Sequence, residues 1–125
     1  MTVAGVGIDM IEVERIQSSI AKEQGFRELV FSAKEIAYCE SKTNKYQHYA
    51  ARFAAKEAFF KALGTGWLKD TAFNEIEVTN DESGKPILEP IGESATVINR
   101  NGLLKISVSL THLKTMASAV VIIEK

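Results

Sequence analysis

KYQHYAARFAAKEAFFKAL, residues 45–63, is a run of mostly good helix formers without glycine or proline, and Gly64 follows it where a left-handed C-cap is favoured. It predicts the longest helix of the chain. At 3.6 residues per turn, Ala50, Phe53, Ala54, Phe60 and Lys61 all fall within about 60° of Glu57 around that helix. Glu57 therefore stands in the middle of an apolar stripe, with one cation a turn ahead. An uncompensated carboxylate there costs on the order of several kcal/mol, so something must compensate it. One reading is an i,i+4 salt bridge with Lys61. The other is that Glu57 and Lys61 both face a cleft holding a cation and an anion together. Magnesium with a phosphate fits the second, because hard Mg²⁺ takes one or two carboxylates plus phosphate oxygens and water. Lys61 then neutralises the phosphate. A second carboxylate is required, and Asp9 is the candidate, although a strand-end Asp is ordinarily a helix cap.

Asp9 ends VAGVGID, residues 3–9, which reads as a buried strand whose small residues permit close backbone packing. A helix follows from about Ile11 to Gln24, with Val13, Ile16 and Ile20 on one face, Arg15, Ser19 and Lys22 on another, and Gly25 as terminator. Ser32 and Glu35 have capping-box spacing, which starts a second helix near Ala33 and lets it fray in the polar stretch 41–44. Beyond the long helix, 73–79 alternates as a strand, DESG turns, and 85–88 returns as its hairpin partner. Pro90 suits the first turn of a helix over about 91–100, stopped by Asn101 and Gly102. Two strands, 104–111 and 116–123, close the chain. The mixing of strands and helices without βαβ alternation predicts α+β: a mainly antiparallel sheet packed with one long and several shorter helices.

The 125 residues suffice for one domain, taken as 1–125, and 46% hydrophobic with 25% charged residues is a globular composition. Fifteen Lys and Arg against sixteen Asp and Glu leave a formal charge of −1, so no global field draws the chain to nucleic acid or membrane. The single cysteine, Cys39, cannot form an internal disulfide and reads as a small helix filler in a cytoplasmic protein. MTVAGVGID has neither the basic start nor the apolar core of a signal peptide, and no run approaches a membrane span. GTG at 64–66 is not a P-loop: no Lys-Ser or Lys-Thr follows, and the glycines come after a helix. His48 and His112 have no Cys or His at zinc-ligand spacing. His112, in SLTH after a strand, stands where a side chain can emerge from a sheet end, although a lone His is more often packing or surface.

GIDMIEVERI at 7–16, RFAAKEAFFKALGTG at 52–66, GKP at 84–86 and SLTH at 109–112, in that order and spanning nearly the whole chain, resemble the bacterial holo-acyl-carrier-protein synthases, the small 4'-phosphopantetheinyl transferases. The resemblance implies that fold and a transfer of the 4'-phosphopantetheine moiety of coenzyme A to a serine of apo acyl carrier protein, leaving 3',5'-ADP, in support of fatty acid biosynthesis. It makes Asp9 and Glu57 the Mg²⁺ ligands and Lys61 their companion at the coenzyme A phosphates. Arg52, Lys61, Gly64, Pro86 and His112 fall at coenzyme A positions. Glu57, Lys61 and His112 are the expected catalytic groups, with Glu57 both ligand and base. Arg15 matches a first-helix arginine that meets the acidic carrier protein, and Lys22 adds to that face, which is otherwise only lightly basic. Leu113 stands where many members carry a polar or acidic residue. The family further implies a homotrimer with active sites between subunits, so that an isolated monomer is inactive. A coenzyme A or carrier-binding module would keep Lys61 and His112 without needing Asp9 and Glu57, whereas two carboxylates and a lysine also suit a magnesium-dependent hydrolase.

Overall fold

The computed structural model describes residues 2–100, 102 and 105–125. Strand β1 (Val3–Glu12) leads into helices α1 (Val13–Ala21), α2 (Phe26–Val30), α3 (Ala33–Glu40) and α4 (Lys45–Leu63). A 3-10 turn (Phe73–Glu75) opens the hairpin β2 (Ile76–Asn80) and β3 (Pro86–Pro90), followed by α5 (Gly92–Asn99), β4 (Lys105–His112) and β5 (Met116–Glu124). β5 lies between β1 and β4 in an antiparallel sheet, and β2 and β3 pair separately, also antiparallel. The expected α+β architecture is thus present.

The chain is organised around α4, which is covered on nearly every side. Ala117, Ala119, Val121 and Ile123 of β5 are buried on the sheet face that meets it, while Phe31, Ile76 and Val78 close the core from the opposite flank. Two glycines let β1 approach it. A Cβ on Gly5 would collide with the carbonyl oxygen of Ala62, and one on Gly7 with that of Ala58. The small residues of β1 therefore carry the close packing that the sequence anticipates.

α4 has its expected bounds, and Gly64 caps it at φ 80°. The capping box also forms: Ser32 Oγ accepts from the Glu35 amide and Glu35 Oε1 from the Ser32 amide. Other boundaries move. β1 continues to Glu12 because Ile11 and Glu12 still pair with Ala117 and Met116, so α1 starts at Val13, whose amide reaches Thr115 O. It ends at Ala21, ahead of left-handed backbone at Glu23 (φ 53°) and Gly25, and Gly25 introduces the short α2 that no sequence signal marks. Phe73–Glu75 is a 3-10 turn rather than strand because Glu75 reaches away to the start of α5, accepting from the amides of Glu93 and Ser94 and from Ser94 Oγ. Pro90 stays in β3 opposite Ile76, and α5 begins two residues later. Asn101, expected as a helix stop, and Leu104, expected to start a strand, lie outside the described residues, as does Leu103.

The outer face of β1 also differs from its reading as a buried strand. Val6, Ile8 and Met10 are exposed, at 61%, 65% and 66%. Only the face with Gly7 and Ile11 is buried.

Candidate active site

Asp9 lies within β1, opposite Ala119, and not at a strand exit, so it caps no helix. It is on the same strand face as Gly5 and Gly7, the residues that bring the backbone against α4. That approach brings its carboxylate to the helix. Lys61 Nζ donates to Asp9 Oδ1 at 3.0 Å and to Ile8 O at 3.0 Å. Glu57, one turn earlier, is half-buried and makes no ion pair among the described residues. The i,i+4 bridge between Glu57 and Lys61 is therefore not formed; Lys61 turns to the strand. Burial raises the Glu57 carboxyl above the ordinary glutamate range, the Asp9 charge adds to this, and Lys61 only partly offsets it. Two carboxylates thus converge beside one ammonium, an acidic site with one formal charge in excess.

The residue set fits a hard cation supplied with further oxygens by a ligand. Among the described residues no group of three or more His, Cys, Asp or Glu could hold a metal. Asp9 and Glu57 bring two carboxylates, a number that suits Mg²⁺ with phosphate oxygens and water.

A second cluster lies toward the start of α4. Arg52, 2% exposed, donates through Nη2 to Asn80 Oδ1 at 2.7 Å and stacks on the Tyr38 ring at 4.2 Å, while its Nε is buried without a partner. His112, at the end of β4, contacts Gln47 Oε1 through Nδ1 at 2.8 Å and lies edge-on to His48, with centroids 5.1 Å apart. Arg52, His48, His112, Gly84 and Pro86 face one cleft of about 180 Å³. Burial, with His112 and Arg52 nearby, pushes His48 down to about 4, so it is neutral at pH 7. The cleft thus offers one fixed guanidinium, an unused buried N–H, aromatic faces and a strand-end imidazole. These groups suit a phosphorylated aromatic ligand.

Gly64 is not among the residues of that cleft; it ends α4, about 18 Å along the helix from Arg52 at 1.5 Å per residue. Arg15 and Lys22 line a shallow groove along α1, where Glu12 and Glu14 interrupt the positive charge. Arg27 is drawn away from it by Glu28 and Glu40. Leu113 is 70% exposed in the turn after His112. Cys39 is buried, and desolvation pushes its thiol up to about 12, an inert core residue.

Sequence reasoning gave Glu35 only a capping role, considered His48 only as a zinc ligand, and passed over Lys56. Lys56 was open to it: Tyr49, Phe53, Phe59 and Phe60 all lie within about 60° of Lys56 around α4, the same signal that singles out Glu57.

The small α+β unit thus sets paired carboxylates at the junction of strand and long helix, with a cationic cleft further back along that helix. The family model of the 4'-phosphopantetheinyl transferase superfamily matches residues 5–118. A holo-[acyl-carrier-protein] synthase of Cytophaga hutchinsonii is 46% identical over 125 residues, covering 98% of both chains. One from Ruminiclostridium cellulolyticum is 49% identical over 122 residues, covering 94% of this chain and 90% of its own. Among solved structures, the holo-(acyl-carrier-protein) synthase of Bacillus anthracis in complex with CoA (3',5'-ADP) superposes with a TM-score of 0.80 at 35% identity, covering 98% and 97% of the two chains. The chain belongs to the 4'-phosphopantetheinyl transferase superfamily and, within it, to the holo-[acyl-carrier-protein] synthases.

Proposed function

We propose that this chain transfers the 4'-phosphopantetheine arm of coenzyme A to a serine of apo acyl carrier protein, with Mg²⁺ held by Asp9 and Glu57. The observation that carries the reading is the excess negative charge of the Asp9, Glu57 and Lys61 cluster, in a chain 35% identical to a synthase solved with CoA (3',5'-ADP). The serine oxygen forms a bond to the phosphorus bearing the pantetheine arm, and the bond from that phosphorus to the bridging oxygen breaks, releasing 3',5'-ADP. When bound, the ion neutralises pyrophosphate charge and eases departure of the leaving phosphate. Glu57 accepts the serine proton, directly or through a water. Lys61 moves from Asp9 to the phosphate, and Arg52 and His112 hold the nucleotide end against the wall made by Gly84 and Pro86. The product supports fatty acid biosynthesis.

The proposed active unit is a homotrimer with sites completed between subunits. Support comes from an uncovered apolar strip: Val6 pairs with Ile122, Ile8 with Val120, and Met10 with Ser118, and the β1 members are largely exposed. Gly64 becomes relevant to coenzyme A in that assembly, by contact with a neighbouring subunit's ligand. Arg15 and Lys22 receive the acidic carrier. No helix among the described residues is long and apolar enough to cross a membrane, and a cytoplasmic location suits the unpaired Cys39.

Mass spectrometry of purified apo carrier tests the reading. The expected result is a gain of one phosphopantetheine that requires both coenzyme A and Mg²⁺ and stops with chelator. Release of 3',5'-ADP with no gain on the carrier would identify a hydrolase instead, and binding without conversion a carrier or coenzyme A module.

A further inference from the structure

Lys56 and Glu35 are 0% and 1% exposed, yet both are charged. Lys56 Nζ donates to Glu35 Oε1, Phe73 O and Ile76 O, each at 2.7 Å, which uses all three N–H bonds of an ammonium. Glu35 Oε1 also accepts from the Ser32 amide at 2.8 Å, and Oε2 from the Val78 amide at 2.9 Å. Lys56 has no donor left for a ligand, and the Glu35 carboxylate is closed off from solvent. Their remaining consequence is what they hold in place.

Two of the partners, Ile76 O and Val78 N–H, are backbone of β2. A third tie lies one turn back along α4, where Arg52 Nη2 donates to Asn80 Oδ1 and Asn80 Nδ2 donates to Gly84 O at 3.0 Å. Arg52 and Lys56 are four residues apart on one helix face, as Asn80 and Ile76 are four apart on one strand face. β2 is therefore pinned at alternate residues, by Lys56 at Ile76, by Glu35 at Val78 and by Arg52 at Asn80. The hairpin so fixed carries Gly84 and Pro86 to the cleft that also contains His48, His112 and the unpartnered Nε of Arg52.

We propose that Glu35 and Lys56 are positioning residues for coenzyme A, setting the β2–β3 hairpin against α4 and with it the opening between Pro86 and His112. The inference rests on the transfer reading above. A carboxylate is required at position 35: three donors converge on it, and an amide there would turn its own N–H bonds toward one of them.

The test uses Glu35→Gln and Lys56→Met in the full chain, with 3',5'-ADP binding measured by calorimetry and transfer measured with coenzyme A and apo carrier varied separately. Expected are a rise of about tenfold or more in the Kd for 3',5'-ADP and the KM for coenzyme A, with kcat and the KM for carrier within about threefold of wild type. Folded variants that bind 3',5'-ADP as wild type does would overturn the proposal, as would equal losses in all parameters, which mark a general structural effect. Should neither variant fold, hydrogen exchange on the wild type decides. Because coupling is reciprocal, saturating 3',5'-ADP must slow exchange at the Val78 amide relative to Val121 in the core strand; an unchanged ratio counts against the proposal. A wild type that binds no 3',5'-ADP defeats the transfer reading itself, and this control is read before any variant is made.

Discussion

Two charge clusters sit within one turn of each other on α4 and are built on opposite principles. At Lys56 and Glu35 every donor meets an acceptor and both side chains are closed off from solvent. At Glu57, Lys61 and Asp9 the groups are partly exposed, the carboxylates outnumber the ammonium, and Glu57 is left without an ion partner among the described residues. Burial drags the Lys56 ammonium below the ordinary lysine range, and Glu35 opposes this. A saturated pair resists change and can only fix geometry. An unsaturated one has spare negative charge and free oxygens, the properties a cation and a phosphate ester require. Adjacent residues, Lys56 and Glu57, thus divide between architecture and chemistry because one points into the hairpin and the other toward β1.

The contrast predicts opposite signatures. Lys56→Met leaves Glu35 buried and uncompensated and should cost about 3–5 kcal/mol, a large part of the total of about 5–15 kcal/mol typical of a domain. Asp9→Asn loses only a half-exposed bridge worth about 1 kcal/mol or less, yet should lower transfer about a hundredfold or more. Urea titrations and carrier-transfer assays on the two variants check this together; similar stability losses would erase the distinction. Next in size is Ile8→Lys, which places a charge on the uncovered strip opposite Val120. Light scattering should report monomers, with transfer lost although β1 still packs on α4 through Gly7; a trimer that persists would move the interface elsewhere.

Smaller effects separate docking from chemistry. Arg15→Glu should raise the KM for carrier several-fold and leave 3',5'-ADP binding unchanged, because Glu12 and Glu14 already dilute the positive charge of that groove. A defect on the coenzyme A side would place carrier docking on another face. Separate from both is the pH response of His48. Its folded value, about 4, lies below the ordinary 6.5, so the unfolded chain binds the extra proton first. Stability present above pH 6.5 should fall as pH drops toward 4, and His48→Phe should flatten that part of the curve in urea midpoints; an unaltered slope would assign the acid sensitivity to other groups.

Much of this was legible in the sequence where the cause is local. The bounds of α4 follow from a run of helix formers and a glycine, and the α3 start follows from Ser32 and Glu35 three residues apart. Glu57 stood out because helical period alone places it among alanines and phenylalanines. Lys56 carried the same signal. Its partner did not: Glu35 lies 21 residues away, and nothing in a capping box says that its carboxylate also reaches Lys56 and Val78. The reading of β1 as a buried strand likewise did not separate the face that meets α4 from the face its own chain leaves uncovered. α2, five residues long, is set by tertiary packing and has no period to detect.

The role of Glu57 is decided by Glu57→Gln, with transfer to the carrier measured at saturating magnesium together with thermal stability and 3',5'-ADP binding. A metal-ligating Glu57 predicts a folded variant that binds 3',5'-ADP as wild type does and has lost about a hundredfold or more of its transfer rate. Near-normal turnover in a normally folded Glu57→Gln protein would contradict it.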